Sequence, residues 1–269
     1  MKLMPDLTIT ELSVRFGGLN AVQGLSLHAA AGTITALIGP NGAGKTTTFN
    51  ACTGVVRHTA GQVYLGQRHL DRLSTAARAA AGLGRTFQRM ELFDSMSVQQ
   101  NVAMGPEGVF SARRPWGQFW APSAERSEIG ARAAQALRRC GLDGIADRRV
   151  RDLSTGQRRL VELARAMASP FRFLLLDEPS SGLDVHETEE FGAVLSQHVA
   201  DTGIGVLLVE HDMALVARVC TQVYVLDFGR LIWSGPTAEA LAAEAVRAAY
   251  LGGDVEDCAT DPTQERVNA

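Results

Sequence analysis

Over residues 7 to 35 apolar and polar positions alternate, as at Leu12, Val14 and Phe16, and the same period returns over 61 to 70. A period of two punctuated by turn glycines predicts short strands with one buried face, and hence a small antiparallel β unit. Three segments are apolar without alternation: TITALIG (33–39), FRFLLLD (171–177) and GVLLVE (205–210). Each reads as a strand buried in an α/β core. Helical spacing appears at Leu160, Leu163, Ala164 and Met167, and further helix candidates cover 98–104 and 124–140. Residues 105–123 break that pattern with three prolines and three glycines. They gather Phe110, Trp116, Phe119 and Trp120, which read as a loop packing its aromatics on its own lobe or, alternatively, as an exposed cluster that docks on a partner or a membrane surface. After Leu226 a short strand, RLIWSG, and two small helices are expected, and the tail from about Asp254 is polar.

Composition narrows the picture. A chain of 269 residues with 46% hydrophobic content can bury a sizeable core. A net charge of −3 gives no basic excess to suggest a nucleic-acid footprint. Cys52, Cys140, Cys220 and Cys258 form no C-x-x-C pair and read as reduced core thiols. The longest apolar runs are too short to span a bilayer, so membrane crossing is not expected of this chain.

Only two lysines occur among 26 basic residues, Lys2 and Lys45. The second lies in GPNGAGKT, where Gly39 to Thr46 match G-x-x-x-x-G-K-[ST] between a buried strand and a helix. Gly42 and Gly44 let the loop of Gly39, Pro40, Asn41, Gly42, Ala43 and Gly44 turn its N–H groups, which all of these but Pro40 carry, toward a phosphate. A lysine is a compact charge on a flexible stem that reaches between β- and γ-phosphates, where a planar guanidinium fits poorly. Thr46 is expected on Mg²⁺ and Thr47 on the α-phosphate. A bound nucleoside triphosphate follows.

A second buried strand ends in two adjacent carboxylates, Asp177 and Glu178, before Pro179. One can hold Mg²⁺ through water while the other polarises an attacking water. Between the two strands, DLSTGQRRLVELARAMA places Ser154 three residues before Gln157, a capping box at the start of a helix. Its first amides, with the Ser154 hydroxyl and the Gly156 backbone, are expected to form a second anion site.

Together the P-loop at 39–46, LSTGQ at 153–157, LLLDE at 174–178, SGLD at 181–184 and EHD at 210–212 resemble the ATP-binding cassette (ABC) ATPases. The resemblance implies an α/β fold: a P-loop NTPase core of ABC type, an antiparallel β subdomain and an inserted α-helical subdomain. It implies ATP hydrolysis with Mg²⁺, and a head-to-tail pair of cassettes, a homo- or heterodimer, sharing two ATP molecules. Carried over by position, Glu178 is the catalytic base and His211 the switch histidine, with Lys45 as the third catalytic residue. Gln88 senses the γ-phosphate and joins Thr46 and Asp177 at the metal. Ser154, Gly156, Gln157 and Asp184 reach the nucleotide held by the other copy. The usual signature reads LSGGQ, and Thr155 departs from it. Phe16 stands where the family carries an adenine platform, with an ordinary core phenylalanine as the alternative.

The segments GLGRTFQ (82–88), MELF (90–93) and AYLGG (249–253) resemble ATPases of importers for branched-chain and other hydrophobic amino acids. That branch implies two transmembrane permease subunits, a periplasmic or extracellular solute-binding protein, and a place on the cytoplasmic face of the bacterial inner membrane. Related systems take up urea, amides or aromatic acids, or extract lipopolysaccharide. A soluble cassette of DNA repair or translation is the rival class; no coiled coil lies between the P-loop and Asp177, and a single cassette is present. The expected division is 1–88 with 161–235 as core and β subdomain, 89–160 as the helical subdomain, and 236–269 as terminal helices and tail.

Overall fold

The computed structural model describes residues 4–86, 91–112, 123–240, 243 and 246. Along the chain come β1 (Leu7–Phe16), β2 (Leu19–Ala29), β3 (Ile34–Ile38), α1 (Lys45–Thr53), β4 (Ala60–Leu65), β5 (Arg68–His69), α2 (Thr75–Ala81) and β6 (Leu83–Arg85). The helical stretch follows with α3 (Val98–Ala112), α4 (Ser123–Arg139) and α5 (Thr155–Ala168). Then come β7 (Phe173–Asp177), α6 (Val185–Thr202), β8 (Gly205–Val209), α7 (Met213–Val219), β9 (Gln222–Asp227), β10 (Arg230–Pro236) and α8 (Thr237–Ala240).

Two sheets result. One is antiparallel in the order β2-β1-β4-β5; the other runs β10-β9-β3-β8-β7-β6, parallel except at the β9–β10 hairpin. Every residue of β3, β7 and β8 is buried, as expected for strands covered on both faces. Their pleat divides the core. Leu37, Phe173, Leu175, Leu207 and Val209 pack with Phe49 of α1 and the antiparallel sheet. Their neighbours Ala36, Leu174, Leu176, Val206 and Leu208 pack with Val102 of α3, Leu163 of α5 and Phe191 of α6. Asp177 shares the parity of Phe173 and Leu175, so it emerges toward α1.

Three expectations are corrected. The first strands are long, 10 and 11 residues, because β1 pairs with both β2 and β4. The helix expected to end at residue 104 runs on to Ala112, through Pro106. Val98, Val102, Pro106 and Val109 all face inward, and a Cβ on Gly105 would collide with the Arg165 carbonyl oxygen of α5. Close packing against α5 therefore outweighs the local breakers. Finally, α5 is unbroken from Thr155 to Ala168, so a boundary at residue 160 would cut one helix. Trp116, Phe119, Trp120 and the polar tail lie outside the described residues, as does Cys258. Cys52, Cys140 and Cys220 are free and buried, and burial pushes each thiol up to about 12.

Candidate functional site

β3 delivers the chain at Ile38 into loop 39–44, and α1 begins at Lys45. Gly44 caps this helix at φ 102°, where a Cβ would collide with the Ala21 carbonyl oxygen. No side chain caps the helix, so its first-turn amides remain donors for an anion. By contrast, α5 and α6 open with reciprocal capping boxes, Ser154 with Gln157 and Asp184 with Glu187. Over the loop lies a cleft of about 650 Å³ whose lining includes Phe16, Leu19, Asn41 to Thr47, Glu178 and Phe228. That volume is in the range of small-molecule sites.

Lys45 is buried, and its Nζ donates to the carbonyl oxygens of Gly39 (2.7 Å) and Pro40 (2.9 Å). Burial lowers its pKa, and the nearby charges of Glu178 and Asp177 oppose that fall. Thr46 is exposed at the cleft floor and Thr47 half-buried. Phe16 is 49% exposed and so is not a core residue.

Asp177 ends β7 with 1% of its side chain exposed. Its Oδ2 accepts from Arg85 Nη2 at 2.8 Å, and Arg85 Nη1 donates to Asn50 Oδ1 of α1 at 2.6 Å. Burial raises the Asp177 carboxyl, and the Arg85 hydrogen bond and charge pull it back. Its Oδ1 has no hydrogen-bond partner among the described residues. A buried carboxylate oxygen left this way fits a cation. No group of three or more His, Cys, Asp or Glu that could hold a metal occurs among the described residues. A magnesium ion would accordingly be held by Asp177, the Thr46 hydroxyl and phosphate oxygens, the sparse protein coordination that suits Mg²⁺.

Glu178 adopts φ +48°, left-handed backbone that a glutamate takes at a cost. The departure breaks the strand alternation and brings its side chain to the cleft beside the P-loop. Its amide donates to Val209 O at 2.9 Å, and its Oε1 is 2.6 Å from His211 Nε2.

A residue with no assigned role holds this arrangement together. Glu210 is 2% exposed; its Oε1 accepts from Ser180 N at 2.8 Å, and its Oε2 from His211 N at 3.1 Å and Asp212 N at 3.5 Å. It joins the turn after Glu178 to the turn that carries His211. Burial raises its carboxyl while these hydrogen bonds oppose the rise. Arg85, Asn50 and Glu210 all escaped sequence reasoning. The available signal was a carboxylate directly after the wholly apolar strand 205–209, where burial demands partners.

Ser154, Gly156 and Gln157 stand apart from the P-loop cleft and line another cavity with Glu187 and Glu190. The Ser154 hydroxyl oxygen accepts from Gln157 N at 3.2 Å. A Cβ on Gly156 would meet the Glu187 carboxylate, so close intrachain packing already requires glycine there. Asp184 caps α6, accepting from Glu187 N at 2.8 Å. Gln88 lies outside the described residues.

A family model described as ABC transporter matches residues 22–181. The chain belongs to the ABC transporter family. It is 38% identical over 255 residues to the high-affinity branched-chain amino acid transport ATP-binding protein LivG of Salmonella typhimurium, covering 92% of this chain and 98% of that protein. To the lipopolysaccharide export system ATP-binding protein LptB of Escherichia coli it is 35% identical over 251 residues, covering 93% and 99%. A crystal structure of the ADP conformation of an ATP-binding cassette of an ABC transporter superposes with a TM-score of 0.81 at 27% identity, covering 93% and 99%. The expected ABC-type α/β fold is therefore borne out, with its parallel core, antiparallel sheet and helical elements. As a cassette of the ABC transporter family, the chain is a nucleotide-binding subunit that hydrolyses ATP.

Proposed function

We propose that this cassette powers import of branched-chain or similar hydrophobic amino acids through two separate permease subunits served by an external solute-binding protein. The carrying observation is the likeness to LivG along nearly the full length of both chains. No helix among the described residues is long and apolar enough to cross a membrane, which suits a peripheral subunit on the cytoplasmic face. A second reading, lipopolysaccharide export, has the likeness to LptB in its favour.

In this reading the loop amides and Lys45 bind the β- and γ-phosphates, Thr47 meets the α-phosphate, and Phe16 takes the adenine. Mg²⁺, when bound, neutralises charge between those phosphates. Asp177, Thr46 and Gln88 would hold that ion. Glu178 orients and deprotonates the attacking water, and His211 holds the carboxylate that does so. Because Ser154, Gly156, Gln157 and Asp184 lie away from the P-loop cleft of their own chain, they serve the nucleotide of a second cassette. The Ser154 cap uses one acceptor position, so the hydroxyl proton remains for a phosphate oxygen.

The test is uptake. Proteoliposomes holding this chain, the permeases encoded beside it and its binding protein should accumulate labelled leucine, isoleucine or valine only with ATP inside. ATP turnover without accumulation of any of the three would contradict the amino-acid reading.

A further inference from the structure

The turn between β9 and β10 carries the most exposed large hydrophobic side chain among the described residues, Phe228 at 82%. Its backbone is in the left-handed region (φ +41°), as is Gly229 (φ +77°). Two successive positive φ values define a tight hairpin turn that favours Asn-Gly or Asp-Gly; a bulky aromatic in the first place is strained. Folding alone gains nothing from a phenylalanine here.

The tip is fixed beside the nucleotide cleft. Gly229 N donates to Ala43 O of the P-loop at 3.1 Å, and Gln23 N donates to Gly229 O at 2.7 Å. Gln23 Nε2 donates to Phe228 O at 3.2 Å while its Oε1 accepts from Arg230 Nε at 3.2 Å, so both ends of that amide are committed. Phe228 lines this cleft with two other exposed apolar side chains, Phe16 and Leu19, and with the phosphate-binding loop Asn41 to Thr47. A ligand that carries both a polyphosphate and a flat aromatic group suits such a lining.

We propose that Phe228 is a second aromatic wall of the base subsite, packing on the purine of the bound nucleotide together with Phe16. The inference rests on reading this cleft as the nucleotide site and adds a residue to it. Recognition of the base is by stacking, which tolerates strain in the turn because the ring is needed there.

Titration calorimetry with Mg-ATP and with magnesium tripolyphosphate, which lacks the base, separates the alternatives. Phe228→Asn suits the left-handed turn, so it should melt at or above the parent temperature. Its Mg-ATP affinity should fall roughly 5- to 30-fold, the scale of one lost stacking contact, with tripolyphosphate affinity within about twofold. Phe228→Tyr should restore ATP binding. Unchanged Mg-ATP affinity in Phe228→Asn would overturn the proposal, with the nucleotide site itself untouched if Phe16→Ala still weakens ATP. Equal loss for both ligands would also overturn it, placing the effect in the Ala43 hydrogen bond. A parent protein that binds no Mg-ATP would overturn the nucleotide reading and this inference with it.

Discussion

At the scale of single residues, Glu210 holds the two turns that carry the proposed base, Glu178, and its partner His211. Its two oxygens set the spacing between Glu178 and His211 by holding the backbone on both sides. Glu210→Gln puts an NH₂ group where an acceptor is needed, and leaving one buried amide unsatisfied costs about 1–3 kcal/mol. Steady-state ATPase assays should then give kcat lower by roughly tenfold with KM little changed, because the P-loop is not touched. A variant with parental kcat would remove Glu210 from the positioning role. That Lys45, Asp177 and Glu178 come near one another was legible, because the loop and strand motifs that carry them set residue type at fixed spacing. Glu210 and Arg85 were not: their partners are backbone amides and a side chain on α1, which only the folded chain brings near.

At the scale of elements, the all-apolar runs were readable as strands since burial on both faces leaves no polar alternation. Their pleat then explains why Asp177 faces α1, whereas Glu178 needs a left-handed bend to reach the cleft. The extent of α3 was illegible by local propensity, because α5 supplies the packing that keeps Pro106 in a helix. The same α5 links two outer segments: Arg159 donates to Ser181 O at 3.2 Å and pairs with Glu162, whose Oε1 accepts from Glu91 N at 3.2 Å. Residues 91–93, which we propose meet the permease, are thus tied to the loop after Glu178. Leu92 is half-buried on the core, whereas Phe93 is 47% exposed and its backbone is held by the buried Asn101. Phe93→Asp is therefore the cleaner probe. ATPase activity of the isolated chain should stay within about twofold of parent, as expected for an exposed substitution, while uptake by the reconstituted complex falls. Unimpaired uptake would take Phe93 out of the permease contact.

At the scale of the whole molecule, two sheets place one complete P-loop cleft on the chain and leave its signature helix start in a separate cavity. A single copy therefore holds two half-sites that do not meet. This division is what the family resemblance implied, whereas the intrachain duty of Gly156 against Glu187 was not foreseen, since it depends on how α5 and α6 cross. The central claim is that catalysis belongs to a pair of chains closed around ATP, with Glu178 as base. Glu178→Gln preserves shape and removes basicity, so hydrolysis should fall by about 10²–10⁴-fold while Mg-ATP still binds. Light scattering on a size-exclusion column should then find this variant dimeric with Mg-ATP and monomeric without it. A protein that binds Mg-ATP yet stays monomeric, or one that hydrolyses it at the parental rate, would contradict the account.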